Sequence, residues 1–115
     1  HWITPNIESR RFDTRFFIAY LPEKQIVQHD GMELTQSLWI NPNKAVDMAF
    51  KGEMQMIMPT IKNLQSCSEF TVAKDMLDRQ KSLTNKDIPP ILPKFFKENG
   101  NWVGLLPGDD GYEDH

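Results

Sequence analysis

Two arginines and an aspartate recur at every second position in the stretch "SRRFDTRFFIAYLP", residues 9–22. Side chains of an extended chain alternate between two faces. Arg11, Asp13, Arg15, Phe17 and Ala19 therefore share one face, and Phe12, Thr14, Phe16, Ile18 and Tyr20 share the other. Guanidinium groups grip phosphate oxygens in a bidentate fashion. Arg11 and Arg15 lie roughly 13 Å apart along a strand, so their long side chains either converge on one anion or serve two separate groups. Asp13 between them offers the competing reading, a row of structural salt bridges. The Phe12 row reads as core. The Arg11 row starts charged and turns apolar, the pattern expected of a cleft wall that is wet at one end and covered at the other.

Other reactive side chains fit ordinary roles better. His1, His29 and Cys67 share no ligand spacing for zinc. Cys67 has no histidine near it in sequence and reads as a small buried residue. Met48, Met54, Met56 and Met58 read as core filler, and Trp39 and Trp102 as packing anchors. Asp109, Asp110, Glu113 and Asp114 read as a solvated acidic tail.

Composition narrows the function classes. The chain has 115 residues, 39% hydrophobic and 25% charged, which is one domain or part of one. Its net charge of −3 argues against a surface that coats nucleic acid, since that role needs clustered positive charge. A single cysteine leaves no internal disulfide. No secretory signal or membrane-length apolar run is present, and no SKL-type ending, so the expected location is cytoplasmic. The opening "HWITP" already reads as a strand and starts on His1, from which the chain is expected to lack its natural beginning.

Elements that would position these residues follow from local signals. Trp2–Thr4 reads as a short strand, Arg10–Leu21 as a long one and Glu33–Ile40 as another. Asn41 and Pro42 start a helix that Gly52 ends. A second helix starts at Pro59 and buries Ile61 and Leu64. A third is capped by Ser68 and carries Phe70, Ala73 and Leu77 as its stripe. A Pro-rich linker follows, then a hairpin turning at Asn99-Gly100. The fold class is α+β. Its expected division is residues 1–83 as the main unit and 84–115 as linker, hairpin and loose tail. Three short helices give too little cover for the sheet faces, so further material, upstream or in another copy of the chain, is expected to complete the core.

The runs "HWITP", "RRFDTRFFIAYLP", "HDGMELTQSLWINPNKAVDMAFKGEMQMIMPTIKNL" and "DIPPILPKFFKENGNWVGLLPGDDGY" resemble the C-terminal half of a Nudix hydrolase. They are most similar to the subgroup that includes peroxisomal coenzyme A diphosphatases. The resemblance implies part of an α/β/α sandwich with a mixed sheet, followed by the C-terminal hairpin. It also implies metal-dependent cleavage of a nucleoside-diphosphate-linked small molecule, with coenzyme A or a derivative as precedent. The family's GX₅EX₇REUXEEXGU box, which holds Mg²⁺ or Mn²⁺, is not found in this sequence and is expected upstream, so residues 1–115 alone are expected to be inactive. By resemblance, Glu33 completes the metal site or acts as catalytic base, and Arg11 and Arg15 bind substrate. The alternative is a non-catalytic Nudix-like binding or interaction module. No nucleic-acid polymer or membrane partner is implied.

Overall fold

The computed structural model describes residues 1–115, which divide into two compact units, residues 1–17 with 82–115 and residues 18–81. Three α-helices and two small antiparallel sheets make this an α+β chain.

In the first unit, β1 (Trp2–Ile3) pairs antiparallel with β2 (Asp13–Thr14), placing Trp2 opposite Thr14 and Ile3 opposite Asp13. Thr4 extends the pairing: its amide donates to the Phe12 carbonyl at 2.9 Å, and its hydroxyl accepts from the Phe12 amide at 2.9 Å. On the other edge of β1, Ile3 N donates to Ile91 O and Ile91 N donates to His1 O, both at 2.8 Å. Trp2, flanked on both sides, is buried in this unit, as is Pro93. Ile91 gives the proline-rich linker a fixed place. Upstream of it, Thr84 and Asp87 close a capping box around the 3₁₀ turn Asn85–Asp87.

The hairpin forms as the sequence predicts. Strands β3 (Lys94–Glu98) and β4 (Asn101–Leu105) meet at Asn99 and Gly100, with φ of 49° and 85°. Two consecutive positive φ values are what a type I′ turn demands. Gly104 faces Phe95, and a Cβ there would lie 2.6 Å from Phe95 Cε1, so the ring packs where a side chain would be.

The tail is a correction to expectation, because it folds back on the hairpin rather than hanging loose. Tyr112 Oη donates to Leu92 O at 2.7 Å, and Lys94 Nζ donates to Tyr112 O at 2.8 Å. The same ammonium lies 4.0 Å from the centroid of the Tyr112 ring. His115 stacks on Phe96 with ring centroids 3.7 Å apart.

The second unit is built around α1 (Pro42–Phe50), which packs on α2 (Met58–Ser68) and buries Ala45 and Val46. Asn41 caps α1 by accepting from Asn43 N at 2.9 Å, and Gly52 takes a left-handed φ of 74° just after it. Ser68 does not cap the third helix. It ends α2, its hydroxyl bonding back to Leu64 O at 2.8 Å, and α3 begins at Ala73 and runs to Lys81.

The two long strands are also corrected. Within Arg10–Leu21 only Asp13 and Thr14 join a ladder, and residues 33–40 join none. A strand exists only where a neighbour supplies its hydrogen bonds, and β1 offers just two residues. The row Phe12, Phe16, Ile18 and Tyr20, expected as core, is therefore exposed, and so are Phe50, Trp39 and Trp102.

Candidate functional site

The candidate residues divide between the units. Arg11 and Arg15 belong to the first and Glu33 to the second. Arg11 stands just before β2, and its Nε donates to Thr4 O at 2.9 Å, which leaves the two terminal nitrogens of the guanidinium turned to solvent. Arg15 stands just after β2, exposed, with no hydrogen bond or ion pair.

Asp13 is the surprise of this face. The salt-bridge row would have tied it to an arginine, but its Oδ1 instead meets His1 Nε2 at 2.6 Å. His1 is almost covered and Asp13 mostly open, so the pair clips the edge of the β1–β2 ladder. Sequence reading could not see this pair, because twelve residues separate its members. The consequence is chemical: neither arginine is neutralised by Asp13, and both keep donors for an anion.

Glu33 does not open a strand. It lies in the bend Gly31–Glu33, which Asp30 organises. Asp30 Oδ1 accepts from Met32 N and Leu34 N, both at 3.0 Å. These amide bonds, Met32 first, hold the Asp30 carboxyl below the ordinary carboxylate range. Gly31 N bonds to His29 Nδ1 at 3.1 Å and to Leu34 O at 2.9 Å, with Gly31 at a φ of 72° that glycine takes without strain. The Glu33 side chain projects into solvent from this small braced loop.

A feature that sequence reading missed lies in the second unit. A cavity of about 560 Å³ runs beside α1, lined by Leu38, Trp39, Lys44, Asp47, Met48 and Lys51 among others. Its sequence signal was available: Lys44 in α1 and Lys51 at its C-cap are seven residues apart, about two helical turns. The two cations are balanced by Asp47 and Glu53 in the same wall.

Divalent cations such as Mg²⁺ and Ca²⁺ take about six or more oxygen ligands, several of them carboxylates or water. No group of three or more His, Cys, Asp or Glu side chains in this chain could hold one. Asp30, the acid nearest Glu33 in sequence, already spends an oxygen on two backbone amides. Glu33 alone does not make a metal centre. Cys67 is no better suited to nucleophilic work, because burial pushes its thiol up, away from the thiolate. No helix is long and apolar enough to cross a membrane.

Against known proteins, no family model matches the chain, and no solved structure does. Curated relatives do. Acyl-coenzyme A diphosphatase NUDT19 of Xenopus laevis is 29% identical over 119 residues, covering 97% of this chain and 30% of that protein. The Homo sapiens protein of the same name is 27% identical, covering 96% of this chain and 30% of its own length. Putative nudix hydrolase 7 of Caenorhabditis elegans is 26% identical, covering 98% and 37%. The chain spans about a third of the length of these relatives. Over nearly its whole length, the chain is thus similar to the corresponding third of proteins named acyl-coenzyme A diphosphatase or nudix hydrolase.

Proposed function

We propose that residues 1–115 are the pocket-forming C-terminal part of a metal-dependent Nudix hydrolase, acting on a nucleoside-diphosphate-linked substrate such as coenzyme A or a derivative. The observation that carries this reading is the near-complete alignment with proteins named acyl-coenzyme A diphosphatases. Two unneutralised guanidinium groups on the β2 segment support it.

When water attacks a diphosphate, negative charge builds on the non-bridging oxygens. Arg11 and Arg15 suit that charge, each offering paired donors to phosphate. Glu33, exposed on a braced loop, suits a carboxylate that takes a proton from water or contributes one ligand to a metal. A divalent ion, Mg²⁺ or Mn²⁺, would supply charge neutralisation when bound. Its main ligands are assigned to residues outside this chain, which leaves residues 1–115 the work of binding and orienting. Completion of the sandwich, with residues 84–115 as an appended hairpin and tail, goes with the same reading.

The second reading is a non-catalytic Nudix-like binding or interaction module. One comparison separates the two. Purified residues 1–115 should hydrolyse no diphosphate with Mg²⁺ or Mn²⁺. The longer natural polypeptide should hydrolyse coenzyme A-type diphosphates, and Glu33→Gln should depress its rate and alter its metal dependence. Turnover by residues 1–115 alone would overturn the assigned division of labour. A longer polypeptide that binds but never cleaves would establish the binding module.

A further inference from the structure

A carboxylate set between two arginines competes with any anion they bind. Arg11 and Arg15 each stand two residues from Asp13, a separation that a guanidinium on its long stem can close. Neither takes it. Arg11 spends its Nε on Thr4 O at 2.9 Å, and Arg15 is exposed with no hydrogen bond or ion pair. The Asp13 side chain is 64% exposed, and its Oδ1 is held by His1 Nε2 at 2.6 Å.

His1 is placed to hold it. Its carbonyl accepts from Ile91 N at 2.8 Å. Trp2, the next residue, bridges to Ile91 on one edge and pairs with Thr14 on the other. The His1 side chain is only 10% exposed. The register sets Trp2 against Thr14 and Ile3 against Asp13, and carried on by one residue it sets His1 against Arg15. The imidazole nevertheless bonds to Asp13, on the diagonal. A nearly covered ring loses little freedom in holding a carboxylate, whereas an arginine in water must be ordered to do the same.

We infer that His1 is a positioning residue for the anion site: by holding Asp13 it keeps that carboxylate from closing on Arg11 or Arg15. The inference rests on the phosphate role given to the two arginines and adds what keeps them available. His1 acts through Asp13, so its effect disappears when Asp13 carries no charge. The size of the effect is bounded as well. An exposed Arg–Asp pair is weak, so releasing Asp13 lowers anion affinity by a small factor and does not abolish binding.

Calorimetric binding of inorganic pyrophosphate to the longer natural polypeptide, run as a double-mutant cycle, tests it. His1→Ala should raise the Kd about two- to fivefold, the range of an exposed ion pair. Asp13→Asn cannot pair as an ion and should bind at least as tightly as wild type. Adding His1→Ala to Asp13→Asn should change nothing further. His1→Gln keeps a donor for the carboxylate and should recover part of the loss. A ladder merely loosened by loss of the ring would stay loosened in the double variant, so a rise in Kd that Asp13→Asn does not rescue would overturn the inference. An unchanged or lowered Kd for His1→Ala would overturn it too. Arg11→Ala and Arg15→Ala, measured alongside, tell two failures apart. If both bind like wild type, the phosphate role is refuted and the positioning role falls with it. If they bind more weakly, a missing His1 effect or a missing rescue counts against His1 alone.

Discussion

Replacing Arg15 and Arg11 in turn separates a phosphate grip from a structural role. Arg15 makes no hydrogen bond or ion pair, so Arg15→Ala should leave stability within about ±0.5 kcal/mol, as for surface substitutions generally. Arg11 donates from Nε to Thr4 O, so Arg11→Ala should cost about 0.5–1.5 kcal/mol of stability by loosening the β1–β2 edge. If each guanidinium binds developing phosphate charge, its removal should cost about 1.5–3 kcal/mol of transition-state binding. That is about a 10- to 150-fold fall in kcat/KM. The two variants should therefore share a kinetic defect and differ in melting temperature. Arg15→Lys keeps the charge, loses the bidentate fork, and should fall between wild type and alanine. The assay is kcat/KM on a coenzyme A-type diphosphate together with a thermal melt, on the longer natural polypeptide. Wild-type kcat/KM for Arg15→Ala would refute the phosphate role. A melting loss for Arg15→Ala as large as that for Arg11→Ala would refute the structural part of the reasoning.

The Asp30 loop and the tail yield two further tests. Asp30 is held below the usual carboxylate value of 3.8 by the Met32 and Leu34 amides, so its contribution to loop order is full above that value and is lost as pH falls through the lower folded value. NMR amide shifts of Met32 and Leu34 should titrate together with a midpoint under 3.8, and Asp30→Ala should abolish the titration; shifts that ignore pH would sink the assignment. At the tail, Tyr112→Phe removes the bond to Leu92 O but keeps the ring beside Lys94, so the hairpin should lose about 0.5–1.5 kcal/mol. Tyr112→Ala should lose about 0.5–1 kcal/mol more with the cation–π contact. Trp102 fluorescence through a thermal melt reads both, and a wild-type melt for Tyr112→Phe would show that the clasp contributes nothing.

The legible parts of the fold were those whose cause lies within a few residues. Asn99-Gly100 specifies a primed turn because both positions need positive φ, and the strands beside it follow. Asn41 and Pro42 start α1 because one caps and the other lacks an N–H that would be unpaired anyway. The misread parts depend on distant partners. An acidic tail has a composition suited to water, and nothing local announces that Lys94 and Leu92 will hold Tyr112, about twenty residues away. Ser68 has the chemistry of a cap, but a serine hydroxyl also bonds back to the carbonyl four residues earlier, and α2 uses it that way.

The candidate site shows the same division. Period two put Arg11, Asp13 and Arg15 on one row, of which only Asp13 joins a ladder, and it carried no information about which charge pairs with which. Asp13 had two arginines two residues away and took His1 instead, because the antiparallel crossing of β1 over β2 brings His1 Nε2 to 2.6 Å. An arginine two residues along a strand has its Cβ on the same face but about 6.6 Å distant, and closing that gap means ordering a long side chain in water for a gain of about 0–1 kcal/mol. His1 lies diagonally across the ladder from Asp13, whose direct partner is Ile3, and its short, nearly covered ring reaches the carboxylate with less side-chain freedom to lose than an arginine in water. The pairing with His1 therefore settles the competition for Asp13, and it leaves both guanidinium groups unneutralised by that carboxylate.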